Sequence, residues 1–119
     1  MMFSRSLRSL PLAVLLCASS VHAAPTDDLQ RVIADHWKYW LSVNPEQATA
    51  LGVRDHDDRI ADISLAELDR QAKAAQGFLD RLGAIADTSL APAERTNKGV
   101  LARILAEQIE ANRYGQRTI

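Results

Sequence analysis

The chain has 119 residues, with 14 Lys and Arg, 15 Asp and Glu, and a single cysteine. This length favours one domain over two, and the slightly acidic balance argues against a nucleic-acid-binding role, which requires a concentrated basic face. A single cysteine excludes a scaffold held by disulfides within the chain.

The first 23 residues have the three-part layout of a secretory signal peptide. Arg5 and Arg8 precede the apolar run LPLAVLLCASS, and Val21 and Ala23 are the small residues expected just before a cleavage site. The apolar run is shorter than the roughly 20 residues that span a bilayer. We therefore expect cleavage after Ala23; a buried N-terminal helix is the alternative reading.

Cys17 lies inside this apolar run and would leave with the signal peptide. A lipoprotein would carry a small residue before the cysteine, whereas this chain has Leu16, so no lipid or stable membrane anchor is expected. Cleavage would leave residues 24–119 with a net charge of −3, since the signal peptide holds two basic residues and no acidic one. We expect a periplasmic or secreted protein.

The first helix of this mature segment is predicted to begin near Thr26, which can cap it. Asp27 and Asp28 would then lie in the first turn, where the helix dipole favours negative charge. Apolar and aromatic residues follow at spacings of three and four, which predicts one helical stripe made of Leu29, Val32, Ile33, His36, Trp37 and Trp40.

A short second helix is predicted from Pro45 to about Leu51. Asn44 is a favourable cap, proline suits the first helical position, and Gly52 can take the left-handed conformation that ends a helix. The residues after Gly52 are strongly polar up to Arg59.

The segment Ser64-Leu65-Ala66-Glu67 matches a capping box and predicts the start of a third helix. Its apolar residues alternate at spacings of three and four, the pattern of a seam that packs along another helix. That seam consists of Leu65, Leu68, Ala72, Ala75, Leu79, Leu82 and Ala86.

Pro92 and Glu94 predict the start of a fourth helix. Its predicted stripe consists of Val100, Leu101, Ile104, Leu105 and Ile109. Three amides lie on or beside that stripe, and buried amides require hydrogen-bond partners that the sequence does not make obvious: Asn97, Gln108 and Asn112. The fold class predicted is all-α: a signal peptide followed by a bundle of about four helices, as an incomplete part of a larger helical fold.

Three features of the sequence are candidate binding or catalytic sites. His36, on the apolar stripe, could be a ligand or proton shuttle, but a lone histidine without a second ligand at helical spacing favours a semi-buried, hydrogen-bonded role. Trp37 and Trp40 could stack on a ligand, although their spacing favours the core. The Arg54–Arg59 segment could bind a cation.

The Arg54–Arg59 segment does not fit a calcium loop. An EF-hand beginning at Asp55 requires an oxygen ligand at its fifth position, glycine at its sixth and Glu at its twelfth, where the chain has Arg59, Ile60 and Ala66. We therefore predict a polar connection held by Asp–Arg pairs. No zinc motif of the type His-Glu-x-x-His occurs, so no catalytic, cofactor-binding or metal-binding residue is assigned.

The stretch YWLSVNPEQATALGV, followed by DDRIADIS, resembles the opening of the bacterial domain-of-unknown-function family 885. The matching residues are Tyr39, Trp40, Asn44, Pro45, Glu46, Ala48, Thr49, Leu51, Gly52, Asp57, Asp58, Arg59 and Ser64. The resemblance implies a mainly helical zinc metallopeptidase of the gluzincin type, with peptide substrates and a metal motif far toward its C-terminus. No such motif can be placed on this sequence.

Two functions follow from these observations. The first is an exported N-terminal portion of such a hydrolase, inactive alone, whose partner is the C-terminal part of the same protein and whose zinc lies there. The second is a complete small helical protein that binds a partner in the periplasm.

Overall fold

The computed structural model describes residues 24–115, and within this range it contains helices and no strand. Four α-helices and one short 3-10 helix follow in chain order: α1 Pro25–Val43, α2 Pro45–Ala50, α3 Leu65–Gly83, the 3-10 helix Asp87–Ser89, and α4 Pro92–Arg113. The predicted all-α bundle of about four helices is confirmed. The predicted signal peptide lies outside the described residues.

Helix α1 begins one residue earlier than the predicted cap at Thr26. Ala24 is the N-cap, and Pro25 takes the first helical position, which suits proline because no N–H is needed there. Asp27 and Asp28 lie in the first turn as predicted. Thr26 is therefore a helical residue, and the prediction that it caps α1 is wrong.

Asn44 ends α1 instead of capping α2. Its side-chain amide donates to the Trp40 carbonyl at 2.8 Å, and its backbone N–H donates to the same carbonyl at 3.1 Å. Helix α2 then starts at Pro45 without a side-chain cap. Gly52 has a φ of +82°, a conformation that costs other residues about 1–2 kcal/mol, so the predicted stop at Gly52 is confirmed.

The start of α3 uses only half of the predicted capping box. Ser64 Oγ accepts the Glu67 N–H at 3.2 Å, as predicted. The Ser64 N–H, however, donates to Asp62 at 2.8 Å, and the Glu67 carboxylate accepts from Arg70 instead. Helix α3 ends at Gly83, so the seam predicted through Ala86 is too long.

The core lies where α1 crosses the α3–α4 pair, which has the most extensive contacts in the fold. Its buried side chains are apolar: Leu29, Val32, Ala75, Leu82, Ile85, Leu90 and Leu105. Each large one stabilises the fold by about 1.5–3 kcal/mol. Phe78, Leu101 and Ile109 pack against this cluster.

Polar contacts connect the helices at the edge of the core. Lys98 of α4 donates to the Ile85 carbonyl at 2.5 Å and to Asp87 at 2.7 Å, which fastens the 3-10 segment to α4. Asn112 Nδ2 donates to Asp69 of α3 at 3.1 Å. Asn112 therefore has a partner within the chain that the sequence did not make obvious.

None of the helices within residues 24–115 is long and apolar enough to cross a membrane.

Candidate functional site

The connection between α2 and α3, residues 51–64, is held by residues of the sequence block that carries the family resemblance. The Glu46 carboxylate accepts the Ala61 N–H at 2.9 Å, and this bond lowers the pKa of the Glu46 carboxyl. Thr49 Oγ1 donates to the Asp57 carboxylate at 2.5 Å. These two hydrogen bonds join the Asn-Pro-Glu part of the block to its Asp-Asp-Arg part.

The Arg54–Arg59 segment contains Asp–Arg pairs of the predicted kind. Arg54 lies 3.5 Å from the Asp57 carboxylate, and Arg59 lies 3.7 Å from Asp58. All four side chains are well exposed to solvent, and such exposed pairs contribute about 0–1 kcal/mol. These pairs shape the segment but create no strongly charged pocket.

No three His, Cys, Asp or Glu side chains within residues 24–115 lie close enough together to hold a metal ion. His56 Nδ1 is buried and has no hydrogen-bond partner among these residues. A zinc site needs three or four nitrogen, sulfur or oxygen ligands, so the described residues do not fit the zinc that the resemblance implies.

His36 lies at the junction of α1 and α3. Its ring meets Phe78 edge to face, with centroids 5.3 Å apart, and Phe78 also contacts Tyr39 and Arg81. Desolvation by burial lowers the pKa of His36, which favours the neutral imidazole. The structure places His36 in an aromatic contact, and no second histidine among residues 24–115 is brought to it.

Trp37 and Trp40 stack on each other, with ring planes 6° apart and centroids separated by 5.3 Å. Trp40 is half-buried, but Trp37 is 49% exposed. The prediction that both belong to the core is therefore wrong for Trp37.

An apolar groove runs between α1 and α4 and has a volume of about 380 Å³. Ile33 and His36 line one side, Val100 and Ile104 the other, and polar atoms are contributed by Gln30 and Asn97. Val100 and Ile104 are 55% and 51% exposed. They lie on the predicted apolar stripe of α4 and remain half exposed, whereas Leu101 and Leu105, on the neighbouring face of α4, pack in or against the core.

A residue pattern on α4 marks this groove, and the single stripe predicted from the sequence did not separate it from the buried residues. A second series on α4 recurs at spacings of four and three, one helical face away from the buried series: Ala93, Asn97, Val100, Ile104, Glu107 and Ala111. Both series contain apolar residues, so spacing alone did not reveal which of them faces the core.

A family model described as bacterial protein of unknown function (DUF885) matches residues 45–118, well over half of the chain. No curated protein and no solved structure matches this chain. The matched range begins at the proline that starts α2, and it includes the α2–α3 connection, α3 and α4. The chain therefore belongs to the DUF885 family of bacterial proteins.

Proposed function

We propose that this chain is the exported N-terminal helical portion of a larger zinc-dependent peptide hydrolase, and that it supports the catalytic part without supplying catalytic residues. The family resemblance supplies the chemistry of the whole protein: zinc polarises a peptide carbonyl and activates water. The residues described here would contribute packing surface to that protein, which is periplasmic or secreted in this proposal.

The observation that carries this proposal is the geometry of the α2–α3 connection. Two residues of the connection are hydrogen-bonded to α2: the Ala61 N–H donates to Glu46, and Asp57 accepts from Thr49. The large apolar side chains of the same connection nevertheless face solvent. More than half of the residue surface is exposed at Leu51, Ile60 and Ile63, and also at Leu65, the first residue of α3. An exposed set of large apolar side chains on an ordered connection is typical of a surface that another polypeptide segment covers.

The coding sequence that follows the codon for Ile119 tests the proposal. The complete product of that reading frame is expected to bind zinc and hydrolyse peptides, whereas purified residues 24–119 are expected to do neither. Zinc-dependent peptide hydrolysis by residues 24–119 alone would refute the proposal. So would a stop codon with no His-Glu segment encoded in any downstream frame.

The packing role has its own test in matched variants. Ile60→Asp and Ile63→Asp are expected to lower the melting temperature of the complete product by several degrees, because each would bury a charge against the catalytic part. In residues 24–119 the same variants should have little effect, since both side chains are already exposed. Asp58→Ala in the same connection is the control.

A second candidate function is a small periplasmic protein that binds a partner, and the open α1–α4 groove favours it. This reading predicts that residues 24–119 unfold in one cooperative transition with a native near-UV dichroism signal. A molten product with no near-UV signal would contradict it.

A further inference from the structure

We propose that the exposed face of α4 binds the same face of a second copy of this chain, in an antiparallel two-fold arrangement that fills the α1–α4 groove. This inference concerns self-association and goes beyond the proposed hydrolase. It depends on how the exposed series of α4 is ordered along the helix.

The exposed series has the spacing of a heptad repeat. Asn97, Ile104 and Ala111 occupy one type of seam position, and Ala93, Val100 and Glu107 occupy the other. In a heptad these two positions form the contact seam with a neighbouring helix. Within the described chain, the seam on this side is open, because Val100 and Ile104 remain about half exposed.

The series is complementary to itself when it is reversed. In an antiparallel pair with the two-fold axis beside Ala102, Val100 meets the other copy's Ile104, and the symmetric contact forms on the opposite side. Small residues also meet, since Ala93 lies against the other copy's Ala111. A two-fold interface of this kind uses the same patch on both copies.

The polar residues match in the same register. Asn97 faces the other copy's Glu107, so its amide N–H can donate to that carboxylate. Glu107 already accepts from Arg103 of its own helix, with Nε–Oε1 at 2.8 Å, which leaves its second oxygen for the amide. The two Arg103 guanidinium groups would approach each other near the axis. The ion pair that each Arg103 forms with Glu107 of its own helix offsets their repulsion. A single polar residue at a seam position specifies the register of paired helices.

The α1 side of the groove supplies the remaining contact surface. Ile33 and His36 line the wall opposite Val100 and Ile104, so each copy's α4 would contact α1 of the other. The resulting unit is a four-helix bundle made of α1 and α4 from each copy. Such a helix-in-groove contact reuses apolar anchors spaced by three and four residues.

Sedimentation equilibrium of the purified chain over a range of micromolar concentrations tests the proposal. A reversible dimer is expected. Ile104→Glu should be monomeric, and Leu51→Glu, which changes an equally exposed leucine outside the groove, should still dimerise. A monomeric parent chain would overturn the proposal, as would a Leu51→Glu variant that dissociates as strongly as Ile104→Glu.

The register has a separate test. Asn97→Asp places two carboxylates opposite each other and should weaken dimerisation about ten-fold. The double variant Asn97→Asp, Glu107→Gln exchanges the two roles and should recover most of that loss. Equal dissociation constants for the parent and Asn97→Asp, or no recovery in the double variant, would refute the antiparallel register.

Discussion

Leu105 is the residue of α4 whose truncation should cost the most stability. It is 1% exposed and packs in the same cluster as Leu29, Val32 and Leu82. Leu105→Ala removes the three carbons of the isopropyl group and forfeits about 2.4 kcal/mol of transfer free energy, at roughly 0.8 kcal/mol for each buried carbon. The cavity left behind raises the total cost of Leu105→Ala to about 3–4 kcal/mol.

The matched control is Leu51→Ala, the same chemical change at a side chain that is 59% exposed. It should cost about 1 kcal/mol, because less than half of the transfer free energy is at stake. A bundle of this size has a total stability of about 5–14 kcal/mol. The loss expected for Leu105→Ala is therefore a large share of the total.

Urea titration followed by far-UV circular dichroism measures both variants, at one protein concentration so that self-association does not enter the comparison. The midpoint should fall far more for Leu105→Ala than for Leu51→Ala. Equal losses, within about 0.5 kcal/mol, would show that the core is not where the described packing places it, since both substitutions remove the same atoms and burial is the main difference between the two sites.

Four further predictions concern single residues, and each is tested by measuring the free energy of unfolding. Gly52→Ala should lose about 1–2 kcal/mol because of its positive φ. Gly77→Ala should gain about 1 kcal/mol, because this helical glycine has open space around its missing side chain; losses at both positions would contradict the argument. Ser64→Ala should lose about 1 kcal/mol with the N-cap bond to Glu67, whereas Ser64→Asp should retain most of it. His36 makes the folded chain more stable at neutral pH than at acidic pH, because burial disfavours its charged form and so lowers its pKa below the ordinary value of about 6.5. That contribution should decrease as the pH falls below 6.5, since the unfolded chain takes up the proton first, and His36→Phe should abolish this part of the pH dependence.

Local chemistry made the helix starts predictable. Helices α2 and α4 start at Pro45 and Pro92, and the Ser64 hydroxyl caps α3. Each of these residues acts on the helix turn next to it, so the helix start can be predicted without knowing the fold. Asn44 shows the limit of this reasoning, because a residue between two helices can serve either one. Its amide turns back to Trp40, and no property of the sequence distinguishes that choice from capping α2.

The faces of α4 could not be predicted from spacing. Val100 and Leu101 are adjacent and equally apolar, so the apolar surface is wider than one neighbouring helix can cover. Which half is buried depends on where α3 lies, and that is a long-range property. The polar connection was more predictable: the sequence indicated Asp–Arg pairs and excluded a calcium loop, but it did not indicate the outward-facing Ile60 and Ile63.

The uneven distribution of contacts among the helices has a consequence for the order in which the protein assembles. Helices α3 and α4 are close in sequence and share the largest interface, so the entropy lost in closing the loop between them is small. Lys98 closes that hairpin by reaching back to Ile85 and Asp87. We therefore expect α1 to dock after the hairpin has formed, and to detach by local unfolding while the hairpin stays protected from amide exchange.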